Sequence, residues 1–486
     1  MTSLALVLSM MLLGTQQAGP CDTVRSLSLP NATITSVTLV PAGPYERGPA
    51  LPEHCRVAAV LTPTSDSHIE MELWLPTKNW NGKFLAVGNG SWAGSIGLPA
   101  VAEGLSEGYA AASTDTGHKG DTAEFAIGHP EKLTDFAYRS IHEMTVKSKD
   151  IIQRYYNRAP AKSYFNGCST GGWQGMAEAQ RYPADFDAMI LGAPVYRRIH
   201  LHAQELQNVV EVTRDQNRYV PPDKVQMVAK AVTASCDAND GVVDGLISNP
   251  QVCRFEPKSL ACGAGAGANC LTPGQVTSLE RIYGTTFTKS GQAVYPGHAR
   301  GFELGWRMPE PGAGPRPTPP MSFAHLGHQD AKWDWKTFDL DKDLALSVEN
   351  GGAIEATNPD LSAFKARGGK IIMYHGWNDP GPSPLDTIQY HDSVVSRMGP
   401  NQDWMRLFMM PGMGHCGGGA GPDKANFLGA LERWVESGVA PDRITAAKVT
   451  NGEIRMTRPI CPYPQVAKWK GVGSTNDAEN FVCAAQ

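Results

Sequence analysis

The chain lacks an excess of basic residues. Its 486 residues include 43 Lys and Arg against 48 Asp and Glu, which gives a formal charge of −5. Proteins that attract nucleic acid or anionic membranes need a positive field, and this composition does not supply one. We therefore expect neither nucleic acid nor a membrane surface among the partners of this protein.

Two other patterns are missing. Beyond the N-terminus, no apolar run reaches the roughly 20 residues that span a bilayer. The ten cysteines form no CxxC pair and have no histidine cluster beside them, so the pattern of a zinc site is excluded. An even number of cysteines instead favours pairing in an oxidising compartment.

The N-terminus is predicted to be a secretory signal peptide, residues 1–18. It has an apolar run followed by small and polar residues, with cleavage expected near Ala18. No Lys or Arg precedes the apolar run, so only the terminal amine is positive, and a buried N-terminal helix is the alternative. We predict a secreted or periplasmic protein.

The order of predicted elements indicates an α/β fold. Short strands separated by turn residues fill residues 34–90, and strands then alternate with helices up to about 200 and again over 368–438. Such alternation predicts a mostly parallel sheet covered on both faces.

A long segment interrupts this alternation. It contains helical stretches and Gly/Pro-rich loops. A chain of 486 residues is also longer than a single compact hydrophobic core of ordinary size would need. We predict an α/β-hydrolase core with a large inserted lid domain: residues 19–200 and 366–486 form the core, and 201–365 form the lid.

One stretch carries the pattern of a nucleophile. Gly167, Ser169 and Gly171 form Gly-x-Ser-x-Gly between a predicted strand, KSYFNG, and a predicted helix, WQGMAEAQRYP. This is typical of a sharp strand-to-helix turn that exposes a serine, although an ordinary glycine-rich turn is the alternative. The helix N-terminus would favour negative charge developing beside Ser169.

A serine hydroxyl needs a base to act as a nucleophile. His415 follows the predicted strand WMRLFMM, and Asp379 ends the predicted strand KIIMYHGWND. With Ser169 they follow the Ser, Asp, His order of hydrolases, in which the acid holds the histidine tautomer. The alternatives are His375 for the base, and Asp386 or Asp403 for the acid.

Cysteines flank both expected catalytic residues. Cys168 precedes Ser169, and Cys416 follows His415. If these cysteines are bonded, their Cα atoms lie roughly 4.4–6.8 Å apart. The bond would then hold serine and histidine together.

An oxyanion hole needs two backbone donors. The N–H of Thr170, directly after the nucleophile, is the first candidate. The second comes from the glycine-rich loop AVGNGSWAG, in which we select Gly90, although an ordinary turn is the alternative.

The chain resembles the tannase and feruloyl esterase family, which includes mono(2-hydroxyethyl) terephthalate hydrolase. The resemblance extends over nearly the whole chain through GNGSWAG, GYAAASTDTGH, GCSTGGWQGM, FDAMILGAP, CDANDGVVDG, HGWNDPGPSP and PGMGHCGGG. It implies a secreted serine esterase acting on a small aromatic-acid ester, with Ser169, Asp379 and His415 as its triad.

The cysteines alone allow about 945 pairings. Closeness in sequence favours Cys236–Cys253, Cys262–Cys270 and Cys461–Cys483. The proposed bond between Cys168 and Cys416 would leave Cys21 and Cys55 for the last pair. The resemblance implies the same five disulfides: Cys21–Cys55, Cys168–Cys416, Cys236–Cys253, Cys262–Cys270 and Cys461–Cys483.

The resemblance also implies a structural Ca²⁺ in the lid, within CDANDGVVDGLIS. This stretch is not an EF-hand, because the glycine and glutamate of that loop are absent at the required positions. Hard oxygen donors suit Ca²⁺, although a solvated acidic turn is the alternative. The implied ligands are the side chains of Asp237, Asp240 and Asp244 and the carbonyls of Val242 and Leu246.

Lid aromatics are candidates for an acyl pocket, and Trp306 is our selection. The others are Phe302, Phe323, Trp333 and Trp335, and Arg300 and Arg307 are candidate cations for a substrate carboxylate. We expect a feruloyl (hydroxycinnamoyl) esterase. The alternatives are a tannase, a terephthalate monoester hydrolase, a peptidase and a non-catalytic binding protein on a hydrolase scaffold. The oligomeric state is left open.

Overall fold

A computed structural model of the protein describes residues 21–46, 48–92, 94–263, 267 and 269–485. The predicted signal peptide, residues 1–18, lies outside the described residues. Among the described helices, none has the length and apolar character needed to cross a bilayer.

The strands of the described residues follow the predicted ones closely over the first 90 residues. In chain order the strands are β1 (Ala32–Val40), β2 (His54–Leu61), β3 (Ile69–Pro76), β4 (Lys83–Val87), β5 (Ala110–Thr114), β6 (Lys162–Cys168), β7 (Ala188–Gly192), β8 (Thr286–Phe287), β9 (Ala293–Tyr295), β10 (Lys370–Gly376), β11 (Met405–Met410), β12 (Lys424–Ala425), β13 (Ile444–Thr450), β14 (Glu453–Ile460), β15 (Val466–Trp469) and β16 (Phe481–Ala484).

The helices surround the sheet and fill the segment between β7 and β10. In chain order they are α1 (Asp22–Arg25), α2 (Leu98–Ser106), α3 (Pro130–Thr134), α4 (Ser140–Tyr156), α5 (Thr170–Arg181), α6 (Arg198–Arg214), α7 (Pro222–Cys236), α8 (Pro273–Tyr283), α9 (Thr318–Met321), α10 (Leu340–Gly351), α11 (Ser362–Ala366), α12 (Pro384–Met398) and α13 (Phe427–Ser437).

Nine strands form one sheet in the order β1-β2-β3-β5-β4-β6-β7-β10-β11. The strands β1, β2, β3 and β5 pair antiparallel, and all pairs from β5 to β11 are parallel. The predicted α/β class, with an antiparallel opening and a parallel continuation, is confirmed.

Both faces of this sheet are covered, as β10 shows. Ile371 and Met373 pack into one apolar cluster, whereas Ile372 packs into another. All three are at most 1% exposed. Since successive side chains of a strand point to opposite faces, helices must cover the sheet on both sides.

The segment between β7 and β10 has an apolar cluster of its own, which includes Val225, Val232, Phe255 and Leu279. This cluster supports the predicted lid. The boundary expected near residue 200 falls inside α6, so the division of the chain into core and lid stays a prediction. The C-terminal three-stranded sheet, β12-β13-β14, was not anticipated.

The topology brings three loops to one edge of the sheet. Strands β6, β10 and β11 run parallel, and their carboxyl ends are followed by Ser169, Asp379 and His415 respectively. Open α/β sheets bind ligands at this edge.

Candidate active site

Ser169 lies at a sharp turn between β6 and α5. Its backbone has φ 63° and ψ −119°, a conformation that costs energy for a residue with a side chain. A Cβ at Gly167 would come within 2.5 Å of the Gly171 backbone carbon. The glycines are therefore required by the close approach of strand and helix.

Asp379 and His415 are hydrogen-bonded. The distance from His415 Nδ1 to Asp379 Oδ2 is 2.6 Å. Asp379 is fully buried, and its Oδ1 accepts the Gly381 N–H at 2.8 Å. This geometry orients the imidazole, because Nδ1 donates to the carboxylate and Nε2 is left to exchange a proton.

His375, the rival base, lies on β10 and is fully buried. Its Nε2 lies 3.1 Å from the same Asp379 Oδ2, and its Nδ1 lies 2.7 Å from Thr387 Oγ1. Both ring nitrogens therefore have partners inside the protein. His375 therefore holds the Asp379 carboxylate from the protein interior and does not face solvent.

The electrostatics of the Asp379–His415 pair favour the ionised carboxylate of Asp379. Burial opposes ionisation, but hydrogen bonds from His375 and His415 outweigh it and hold the pKa of Asp379 well below its usual range. Burial disfavours the imidazolium of His415, yet the hydrogen bond and charge of Asp379 raise the pKa of His415 above 6.5. The carboxylate thus stabilises a proton on His415.

Ser169 and His415 line one cavity of about 450 Å³, together with Gly90, Ser91 and Thr170. The disulfide Cys168–Cys416 joins the turn at Ser169 to the loop of His415 across 248 residues of sequence, with its Cα atoms 6.0 Å apart. The structure therefore brings the expected nucleophile, base and acid to one place.

A second cavity of about 330 Å³ adjoins the first and shares His415 and Gly381 with it. Trp306 lines this second cavity. His415 therefore borders both cavities.

Thr170 and Gly90 both line the first cavity. Thr170 begins α5, where the N–H groups have no acceptor within the helix. The neighbouring Gly171 N–H donates to Asn89 O at 2.8 Å, which attaches the Gly90 loop to the helix. These positions support the two expected oxyanion donors.

The other lid aromatics lie elsewhere. Phe302 and Phe323 are buried at 1% and 0% exposure, and Trp333 and Trp335 pack against the main apolar cluster. Of the five aromatic candidates, Trp306 is the one that lines either cavity within the described residues.

The two candidate cations have different positions. Arg300 Nε donates to Phe255 O at 2.8 Å, away from both cavities, whereas Arg307 lines the second cavity. Sequence reasoning missed Arg316, which lines both cavities and forms an ion pair with Glu205. No local motif marks Arg316, since it lies in a Gly/Pro-rich loop.

The carboxylates of the acidic loop in the lid are held by hydrogen bonds and an ion pair. Asp237 Oδ1 accepts the Gly245 N–H at 3.0 Å, and Asp244 Oδ2 forms an ion pair with Arg458 at 2.6 Å. Burial raises the pKa of Asp240, and the charge of Asp244 adds to that effect. Carboxylates and carbonyls are hard oxygen donors of the kind that Ca²⁺ takes, but these three aspartates are not spaced as one group of metal ligands in the described structure.

A different group of three side chains is spaced as metal ligands among the described residues: His142, Glu178 and Asp185. His142 Nδ1 already lies 2.6 Å from Asp185 Oδ2. Burial, followed by the charge of Asp185, raises the pKa of Glu178 well above its usual range. The spacing of these three side chains would allow them to hold a metal ion.

All ten cysteines are paired. The pairs are Cys21–Cys55, Cys168–Cys416, Cys236–Cys253, Cys262–Cys270 and Cys461–Cys483. They are the five pairs that the resemblance implies.

The sheet, the strand-to-helix turn at Ser169 and the Asp–His pair at the carboxyl edge of the strands define an α/β-hydrolase. The particular family follows from comparison with known proteins. The sequence model described as "Tannase and feruloyl esterase" matches residues 55–314 and 320–484. The chain belongs to this family, and it is a carboxylic ester hydrolase.

Three relatives illustrate the similarity. A probable feruloyl esterase B-1 of Aspergillus terreus is 33% identical, covering 88% of this chain and 86% of the relative. The mono(2-hydroxyethyl) terephthalate hydrolase of Piscinibacter sakaiensis is 32% identical, covering 90% and 85%. The crystal structure of feruloyl esterase B from Aspergillus oryzae superposes with a TM-score of 0.89 at 29% identity, covering 96% of this chain and 100% of that chain.

Proposed function

We propose that this protein is a secreted serine esterase that hydrolyses esters of aromatic acids, with hydroxycinnamoyl (feruloyl) esters as its preferred class. The observation that carries the proposal is the His415–Asp379 hydrogen bond beside Ser169 in one cavity. The relatives named as feruloyl esterases support the choice of acyl group.

In this mechanism Ser169 Oγ attacks the ester carbonyl carbon while His415 Nε2 takes the hydroxyl proton. The N–H groups of Thr170 and Gly90 stabilise the oxyanion of the tetrahedral intermediate. His415 then protonates the departing alcohol, and an acyl-enzyme remains. In deacylation His415 takes a proton from water as the water attacks the acyl carbon. His415 then gives this proton to Ser169 Oγ as the acid leaves, which restores both residues.

The lid contributes the substrate pocket and a structural metal site. Trp306, at the wall of the second cavity, packs against the aromatic ring of the substrate. The side chains of Asp237, Asp240 and Asp244 and the carbonyls of Val242 and Leu246 would hold Ca²⁺, which stabilises the lid loop and takes no part in the chemistry.

A second candidate is hydrolysis of a terephthalate monoester. Arg316 favours it, because its guanidinium lines both cavities and its side chain is 64% exposed. A free carboxylate on the substrate would find a cation there.

The test is kcat/KM of the purified mature protein on methyl ferulate, methyl p-coumarate, methyl gallate, a terephthalate monoester and p-nitrophenyl butyrate. We expect the hydroxycinnamate esters to be the best substrates. A preference for gallate or terephthalate would replace the acyl group in the proposal. Activity on the butyrate alone would overturn the aromatic pocket, and faster turnover of a matched amide would indicate a peptidase.

A further inference from the structure

Arg198 is a buried cation without an acidic partner. It begins α6 and is 2% exposed. Within the part of the chain that the structure describes, no carboxylate lies at ion-pair distance from its guanidinium. Buried charges are normally paired, because removing them from water is costly. At close range Arg198 is compensated by neutral groups, and the charge of Asp121 favours the cation from beyond ion-pair distance.

Aromatic rings surround the guanidinium. Its Cζ lies 4.5 Å from the ring centroid of Trp92, 5.4 Å from that of Trp173 and 5.7 Å from that of Phe136. The negative ring faces stabilise the cation. Burial lowers the pKa of Arg198 to about 9, which leaves it protonated at neutral pH.

The guanidinium also closes a ring of hydrogen bonds. Its Nη2 donates to Thr170 Oγ1 at 2.6 Å, and its Nη1 donates to Ser91 O at 3.1 Å. Thr170 Oγ1 in turn donates to Ser91 O at 2.7 Å. Thr170 directly follows Ser169, and Ser91 directly follows Gly90. These three hydrogen bonds therefore link the two segments that hold the expected oxyanion donors.

The position of Arg198 fits an electrostatic role as well. It lines the cavity that contains Ser169 and His415. The neighbouring His202 is kept neutral, because burial and then the charge of Arg198 lower its pKa well below the usual range. A positive charge that is fixed in the protein interior interacts strongly with negative charge that develops nearby.

We propose that Arg198 is a positioning residue of the oxyanion hole, which fixes Ser91 against Thr170 and stabilises the oxyanion through its buried charge. The inference rests on the proposed function, because it requires an oxyanion formed by attack of Ser169. Its effect would fall on the transition state more than on the bound ester.

The test compares Arg198→Gln and Arg198→Lys in the full mature protein. Arg181, an exposed arginine whose Cζ lies 4.1 Å from the ring centroid of Tyr138, supplies the matched control Arg181→Gln. Each variant is assayed for kcat and KM on an aryl ester. Binding is measured for an aryl boronic acid, which adds to the serine as a tetrahedral anion, and for the neutral aryl amide.

We expect Arg198→Gln to lower kcat by about tenfold or more, less than the roughly 100–1,000-fold loss on removing a direct oxyanion donor. Boronic acid affinity should fall by a similar factor while amide affinity stays within about twofold. Arg198→Lys should retain more activity than Arg198→Gln, and Arg181→Gln should match the wild type. Equal weakening of boronic acid and amide, or unchanged kcat, would overturn the inference.

A second pair of variants decides the matter if Arg198→Gln does not fold. Thr170→Val removes the hydroxyl that Arg198 contacts, and Thr170→Ser keeps it. We expect the valine variant to lose more kcat than the serine variant, so equal kcat values in the two variants would overturn the inference. Absence of wild-type turnover, or turnover that survives Ser169→Ala, would instead refute the proposed function.

Discussion

His415 Nδ1 lies 2.6 Å from Oδ2 of Asp379, in a loop that a disulfide fixes beside Ser169. The same carboxylate oxygen lies 3.1 Å from Nε2 of the buried His375. Asp379 is thus held from two sides, and only one of its histidines reaches the cavity.

Ser169→Ala should lower kcat/KM by at least about 1,000-fold, because the nucleophile is lost while the backbone turn stays compatible with alanine. Steady-state turnover of methyl ferulate measures the loss, and melting temperature verifies folding. Ser290→Ala, at an exposed serine of the lid, is the matched control. Substantial residual turnover in a folded Ser169→Ala protein would show that another group is the nucleophile.

The dependence of kcat/KM on pH should follow His415. Protonated imidazole cannot accept the Ser169 proton, so activity falls as the pH drops through the pKa of His415, which Asp379 raises above 6.5. Asp379→Asn should move this inflection to lower pH and lower kcat by about 10,000-fold. An inflection that stays in place in the asparagine variant would contradict the coupling.

Replacing both Cys168 and Cys416 by alanine should reduce activity and stability together. Loss of a cross-link over 248 residues costs roughly 2–5 kcal/mol, and a displacement of His415 by about 1 Å can cost on the order of 100-fold in rate. Replacing Cys262 and Cys270, eight residues apart in the lid, should leave kcat near the wild-type value. Equal kcat in both double variants would mean that packing alone holds the triad.

Chelation should lower the melting temperature if Ca²⁺ occupies the loop of Asp237, Asp240 and Asp244. Binding to the folded state alone stabilises it by about 2.7 kcal/mol at a ligand concentration of 100 Kd. Asp240→Asn should lower the melting temperature in Ca²⁺ and abolish the response to chelator in calorimetry. If verified chelation leaves the wild-type transition unchanged, the loop is an acidic turn only.

Trp306→Ala should raise KM for hydroxycinnamate esters by about tenfold, because a half-buried ring that lines the second cavity is removed. Its KM for p-nitrophenyl butyrate should change less, since the short acyl chain makes less contact. Trp333→Ala, at a residue outside both cavities, is the control. A loss shared equally by all esters would place Trp306 in the lid core and not in the acyl pocket.

Local patterns predicted the elements around the site well. The strand KSYFNG, the turn at Ser169 and the following helix appear where the sequence indicated them, because short-range backbone sterics and helix propensity decide them. The partners His415 and Asp379 could be predicted for a similar reason, since each lies in the loop that follows a recognisable buried strand. The five disulfide pairs needed the family resemblance beyond closeness in sequence.

The sequence by itself determined the α/β class, the order of Ser169, Asp379 and His415 along the chain, and the absence of an excess of positive charge. Only the tertiary structure decided that Asp379 serves two histidines, that Arg316 lines both cavities, and that Arg198 links Ser91 to Thr170. Arg198 and Ser91 are 107 residues apart, and no local pattern records such a pair. Burial and contact arise only when distant segments pack together, and they determine which of many arginines or histidines lies at the site.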